Sequence, residues 1–271
     1  MRNPRGLVIA VTGGARGIGA AAAANLAGKG AKVAIGDIDG DAAANTAADI
    51  PGAVGLPLDV SDPGSYRAFL DEVAAQLGAP DVLVANAGVM WVGSFADEPA
   101  SATKRQLAVN VEGVIYGIRA AVPEMRARGK GQVIVVASAA SRLAPPGEAT
   151  YAATKHAVLG YCTAVRAELR GSGVDVSVLM PAVVGTELAA GTSSGLVKPL
   201  TPERVAAAIE SLVRRPRPEL YVPAAAGAVA TFLALNPART RRFFHRILVP
   251  NQVRSDQTAR QDYEKRTLGS N

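Results

Sequence analysis

The chain has 271 residues, is 49% hydrophobic and carries 29 Lys and Arg against 23 Asp and Glu, a formal charge of +6, so it holds enough apolar material for one large α/β domain. The single cysteine, Cys162, excludes an internal disulfide framework, and His156 and His245 lie too far apart in sequence to form a metal motif. No apolar run is long enough to span a bilayer and the start, MRNPRG, has no signal-like pattern, so a cytoplasmic protein without a metal is expected.

Leu7 to Val11 is an apolar, β-branched run that reads as a strand buried on both faces. It leads into Thr12-Gly13-x-x-x-Gly17-Ile18-Gly19 and an alanine-rich helix from Ile18 to Leu26. The glycines permit a tight turn and close approach of a ligand, and the helix N-terminus offers free N–H groups and a favourable dipole to an anion such as a pyrophosphate. Ala31 to Asp37 is a second strand, and its terminal acid stands eighteen residues beyond Gly19. A dinucleotide fold keeps there the carboxylate that holds the adenosine ribose diol. Asp37 repels a ribose 2′-phosphate and favours NAD, whereas Arg16 in the glycine turn suits that phosphate and keeps NADP as the alternative. Asp39 is a nearby competitor for the ribose.

A helix follows over Asp41 to Ile50, a third strand over Ala53 to Leu58, and another helix opens at Asp62-Pro63. Asp81 to Ala85 is a fourth strand, and a long helical stretch runs from Pro99 to Arg128. Gln132 to Ala137 is a fifth strand ending at Ser138, Pro145-Pro146-Gly147 forces a loop, and Thr150 to Arg170 is a helix. Tyr151 and Lys155, four apart, share a face of that helix. Val174 to Leu179 is a sixth strand closed by Pro181, Thr186 to Leu200 a glycine- and serine-rich lid over an apolar pocket, and Glu219 to Val222 a last strand after a helix opening at Thr201-Pro202-Glu203. The alternation predicts an α/β, doubly wound, mainly parallel seven-stranded sheet with helices on both faces, one domain over 1–223 and a helical extension over 224–271.

Taken in order, Thr12-Gly13-x-x-x-Gly17-Ile18-Gly19, Asp37, Asp59-Val60, Asn86-Ala87-Gly88, Asn110, Ser138 and Tyr151-x-x-x-Lys155 closely resemble the motifs of the short-chain dehydrogenase/reductase family, over roughly Leu7 to Val222. Two positions depart from it: Ala85, often asparagine, and Ala182, usually glycine. The resemblance implies a Rossmann fold and a secondary alcohol exchanged with its ketone by hydride transfer. It makes Tyr151 the general acid/base, with Lys155 lowering its pKa and holding the nicotinamide ribose, Ser138 steadying the substrate oxygen and Asn110 anchoring a relay water. It further implies that Asp59 and Val60 flank the adenine, that Asn86, Ala87 and Gly88 border the cofactor cleft, and that Pro181, Val184 and Thr186 meet the carboxamide end. A homodimer or homotetramer joined through about Lys104 to Arg128 and Thr150 to Arg170 is implied as well. The alternatives are an NADP-preferring carbonyl reductase and a cofactor-binding protein without turnover.

The stretch from Arg214 to Asn271 has eleven basic and four acidic residues, so its charge of +7 exceeds that of the whole chain. Ala224 to Leu235 is an apolar helix too short to cross a membrane. Beyond it, Arg239, Arg242 and Arg246 fall on one helical face and Phe243, Phe244, Ile247 and Leu248 on the other. Two readings fit: a helix packed on the core or a partner subunit with its arginines in water, or one lying on anionic lipid and admitting lipophilic substrates. Nothing resembles a nucleic-acid recognition module, and no nucleic-acid partner is expected.

Overall fold

The computed structural model describes residues 2–194, 198–253, 256 and 258–268. Seven strands, β1 (Val8–Thr12), β2 (Lys32–Asp37), β3 (Ala53–Pro57), β4 (Val82–Ala85), β5 (Gly131–Val136), β6 (Val174–Pro181) and β7 (Glu219–Val222), pair in the order β3-β2-β1-β4-β5-β6-β7. Every pairing is parallel, so the sheet is wholly rather than mainly so. β1 pairs with β2 on one side and β4 on the other, where the winding direction reverses.

The period-2 alternation of the strands divides the apolar side chains between two cores. Val8 and Ala10 of β1 face α3 (Pro63–Leu77), α5 (Gly113–Ala127) and α7 (Ala149–Glu168), packing with Phe69, Ile118 and Val158. Ile9 and Val11 face α1 (Gly17–Gly28), α2 (Gly40–Ala48) and α8 (Pro202–Arg214), packing with Leu26, Ala47 and Ile209. Cys162 on α7 lies in the first core with no exposed surface, and burial pushes its thiol up to about 12. Both histidines are structural: His156 Nδ1 donates to Ala152 O at 2.8 Å and His245 Nε2 to Leu143 O at 2.6 Å.

The long helical stretch expected over Pro99 to Arg128 runs continuously from Ala100 to Ala127, but not as a single α-helix. α4 (Ala100–Leu107) passes through a π-helical turn, Ala108–Glu112, before α5 begins. A π-turn inserts one residue into the helical repeat and commonly marks a functional position; here it contains Asn110.

Past β7 the chain adds α9 (Ala224–Leu235), α10 (Ala238–Leu248) and α11 (Gln261–Leu268), with a short α6 (Ala140–Leu143) earlier. Gly227 lets α9 sit on β7, since an added Cβ would come 2.8 Å from the Tyr221 ring. α10 has no buried residue: Phe244 meets Phe232 and Phe243 edge to face at 5.1 and 5.3 Å, while Phe243 and Ile247 remain 62% and 58% exposed. Its apolar face is therefore partly open, although Leu248 at its end lines the cleft. The lid begins with a 3₁₀ turn, Glu187–Ala189, and its foot is closed by the Val184–Leu200 bridge; residues 195–197 of the expected lid lie outside the described residues. Within the helical extension expected over 224–271, the 3₁₀ turn Thr258–Arg260 and α11 return the chain to the body beside α4.

Candidate active site

The carboxyl ends of β1, β2, β4, β5 and β6 open into one cleft of about 580 Å³, the position where doubly wound sheets take ligands. All the residues singled out from the sequence line it except Thr12, Gly19 and Asn110, which stand behind its wall, and Ala182 lines it too.

The glycine turn is locked from behind. Thr12 Oγ1 accepts the N–H groups of Asn86 and Ala87, both at 3.1 Å, and Asn86 Nδ2 donates to the carbonyls of Thr12 and Gly13 at 3.0 Å. Gly13 has φ +61°, and a Cβ there would lie 2.7 Å from Ala87 Cα; one at Gly19 would run into the Gly13 carbonyl. The turn thus presents bare backbone and the N-terminus of α1 to the cleft, a cradle that fits a pyrophosphate. Asp37 Oδ2 accepts from Ala15 N at 3.1 Å and Oδ1 from Asp39 N at 3.2 Å, which fixes the carboxylate at the cleft edge. Arg16, also on the cleft, pairs with Asp39, Nη2 to Oδ2 at 3.0 Å, while Asp39 Oδ1 caps α2 through Ala42 N. Burial raises the Asp59 carboxyl, but two hydrogen bonds from Ser61 and the Arg105 guanidinium outweigh it and leave the group below the usual range.

At the other end, Tyr151 and Lys155 project from the first turns of α7, with Lys155 Nζ 5.5 Å from the centre of the Tyr151 ring and donating to Val136 O at 3.4 Å. Burial pushes the phenol's pKa up, the Glu148 and Tyr263 charges push the same way, and a hydrogen bond from Ser138 opposes them. Burial also brings Lys155 down to about 8. Asn110 is fully occupied: Oδ1 accepts from Val89 N at 2.9 Å, and Nδ2 donates to Val89 O at 2.8 Å and Thr154 Oγ1 at 3.1 Å. It ties the π-turn to the strand-end loop and to α7, one residue before Lys155.

The C-terminal segment forms part of the same wall. Arg260, with no exposed side-chain surface, donates to Met90 O at 2.7 Å, Ala190 O at 2.9 Å and Leu188 O at 3.0 Å, and pairs with Glu264 at 2.9 Å. Tyr263 accepts Met90 N–H at its hydroxyl, 3.1 Å away, and faces the cleft. Gln252 fastens the lid by exchanging two hydrogen bonds with the Ser193 backbone, at 2.6 and 2.7 Å. Glu148, three residues before Tyr151, is only 7% exposed and lines the cleft. Burial raises its carboxyl to about 7, with Arg260 pulling it back. None of these four was legible as a site residue: Glu148 reads as an acid at a helix start, and Arg260 is one of eleven basic residues in the tail.

Residues 7–196 match the family model of the short chain dehydrogenases. The chain belongs to the short-chain dehydrogenase family. Among this short-chain dehydrogenase's relatives, a probable oxidoreductase EphD of Mycobacterium tuberculosis is 38% identical over 198 residues. That match covers 70% of this chain and 33% of the relative, so the chain spans about a third of that protein's length. A 3-alpha-(or 20-beta)-hydroxysteroid dehydrogenase of the same species is 36% identical over 184 residues, covering 68% and 71% of the two chains. The crystal structure of a short chain dehydrogenase/reductase from Burkholderia phymatum in complex with NAD superposes with a TM-score of 0.80 at 27% identity, covering 86% and 95%. The family match ends at residue 196, so α8, β7 and the segment carrying Arg260 and Tyr263 lie beyond the matched region.

Proposed function

We propose that the protein is an NAD-dependent oxidoreductase that interconverts a secondary alcohol and its ketone, on a substrate with a largely apolar body. The observation that carries this reading is the meeting of Tyr151, Lys155 and Ser138 on the wall of the cleft whose far end holds the glycine cradle and Asp37. NAD, when bound, supplies the nicotinamide carbon that takes or returns the hydride. The cradle at Gly13 and Gly19 holds its pyrophosphate, Asp37 its adenosine ribose diol, and Thr186 and Val184 its carboxamide end. Tyr151 removes the hydroxyl proton as the hydride leaves, or returns it in reduction. The Lys155 cation favours the phenolate against the burial that opposes it, and Ser138 donates to the substrate oxygen. Because the side chain of Asn110 is spent on Val89 and Thr154, its part is to set the π-turn, and a relay water is left to main-chain carbonyls. Residues 1–223 carry this chemistry and 224–271 serve as its cover; Leu143, Val183, Val229 and Leu248 in the cleft wall suit a lipophilic substrate.

NAD is favoured because Arg16 is committed to Asp39 and Asp37 is held toward the cleft. Asp37→Ser is expected to weaken NADH binding by about 10- to 100-fold, the worth of hydrogen bonds to a charged acceptor, and to narrow the margin over NADPH. Fluorescence titration with both cofactors, followed by turnover of a panel of secondary alcohols, checks the whole reading. Tighter binding of NADPH by the unaltered protein would move it to a carbonyl reductase; binding of neither would sink it.

Copies pair through α5 and α7, whose outward face on α7 carries Ala153, Ala157, Gly160 and Ala164, small enough for close helix approach. The exposed face of α9 and α10 meets anionic lipid: from Ala224 to Leu248 there are four arginines and no acid, beside Phe243 and Ile247. Sedimentation with phosphatidylserine vesicles at low salt, released at high salt, is the expected result. A salt-insensitive mass in light scattering with this face protected and no vesicle binding would assign it to a subunit contact instead.

A further inference from the structure

At the catalytic end of the cleft Asn110, Arg260 and Tyr263 are partnered inside the protein, whereas no hydrogen bond reaches the Glu148 carboxylate among the described residues. Asn110 uses both amide ends, Arg260 spends four of its N–H groups on three carbonyls and Glu264, and the Tyr263 hydroxyl takes the Met90 N–H. Glu148 is only 7% exposed and borders the cleft, and among the described residues none donates to its carboxyl oxygens. It lines the cleft from the N-cap position of α7, three residues before Tyr151. A buried carboxylate without a hydrogen-bond donor is costly, and buried polar groups are nearly always satisfied. One that opens into a ligand cavity is satisfied by the ligand.

We propose that Glu148 is a specificity-determining residue that accepts a hydrogen bond from a second hydroxyl of the substrate, so that the alcohol taken by this site is a diol. The reading rests on the alcohol-oxidising function proposed above and names its substrate class. The placement supports it: Glu148 borders the same cleft as Tyr151 and Ser138, three residues before Tyr151 in the chain, so a substrate whose reacting hydroxyl is on Tyr151 has a second acceptor in the same cavity. A hydroxyl suits the place better than an ammonium. The Arg260 guanidinium already acts on Glu148 and the Lys155 ammonium stands over the Tyr151 ring, so a third cation would be repelled. The remaining wall, with Leu143, Val183, Leu188 and Val249, accommodates the carbon skeleton. The C-terminal segment contributes to the same wall through Tyr263, while the buried Arg260 guanidinium acts on Glu148 from behind it.

The test compares cyclohexanol with the cis and trans 1,2-, 1,3- and 1,4-cyclohexanediols, in the full-length protein and in Glu148→Gln and Glu148→Leu. The unaltered protein is expected to prefer at least one diol over cyclohexanol in kcat/KM. Glu148→Leu should lower that preference by about 10- to 100-fold, the range for a hydrogen bond to a charged acceptor. Glu148→Gln, which keeps the shape and one acceptor oxygen, should fall between. An unchanged diol-to-cyclohexanol ratio in both variants, with both substrates slowed alike, would overturn the proposal and leave Glu148 acting only through Tyr151. If no alcohol is oxidised with either cofactor, the dehydrogenase reading fails first, and calorimetric binding decides this one separately. A diol that binds the unaltered protein more tightly than cyclohexanol, and loses that margin in Glu148→Gln, supports it; equal affinities overturn it.

Discussion

Tyr151→Phe is expected to lower kcat for alcohol oxidation by roughly 10³-fold, a barrier increase of about 4 kcal/mol, within the range a positioned general acid/base contributes. The substitution removes one oxygen and leaves the ring that packs against Met90, Val92 and Ala152 in place, so the fold should persist. Steady-state kinetics beside a circular dichroism melt separate lost chemistry from lost structure. Turnover within tenfold of the unaltered protein would refute Tyr151 as the proton carrier. The phenol needs help: burial and the Glu148 and Tyr263 charges raise its pKa and only the Ser138 hydrogen bond opposes them, so the proposed mechanism asks the Lys155 cation, 5.5 Å from the ring centre, to favour the phenolate. As burial brings Lys155 down to about 8, that help weakens as the pH passes through this value in the unliganded protein.

Arg260→Met is expected to cost about 3–5 kcal/mol, the usual loss when one member of a buried ion pair is removed. The carbonyls of Met90, Leu188 and Ala190 lose their donor together, and Glu264 loses its partner. The loss should appear first as opening of α11, read as faster hydrogen exchange of its amides. It should also depend on pH, with a definite sign. Glu148 has a folded pKa raised from 4.5 to about 7, so its contribution to stability is fully present below its unfolded value and declines as pH rises through 7. Arg260 opposes that shift, and without it the folded pKa rises further. The penalty of the substitution is therefore larger at pH 8 than at pH 5, by denaturant melts at both. Equal melts with and without the arginine at pH 8 would show that the guanidinium does not anchor the segment.

Much of the fold can be read from the chain because each strand is a short apolar run between punctuating glycines, prolines and acids. β2 and β3 end within a residue of the expected places, and the i,i+4 pair of Tyr151 and Lys155 needs only helical geometry to converge. The π-turn at Asn110 escapes such reading, since one inserted residue leaves no trace in the hydrophobic period of the sequence LAVNVEGV. The C-terminal wall escapes for a different reason. A buried arginine is recognised by the three carbonyls it bonds, and Met90, Leu188 and Ala190 come from segments 170, 72 and 70 residues away. Glu148 is likewise an ordinary helix-start acid until the neighbours that fail to bond it are seen. For α10 the sequence leaves packing on the core, on a partner subunit or on lipid open, and Phe243 and Ile247 stay exposed in the single chain.

The chain's only thiol is seated under α7, the helix that carries both Tyr151 and Lys155. With its pKa pushed to about 12 and no surface exposed, Cys162 has almost no thiolate at neutral pH and offers an alkylating reagent no approach while α7 lies on the sheet. Labelling at that sulfur therefore counts excursions in which this helix lifts, and it does so in the unaltered protein. A molecule that binds only the closed form slows the clock by 1 + [L]/Kd when opening is in rapid equilibrium, so alkylation kinetics would rank cofactors and alcohols by affinity before any of them has been seen to react.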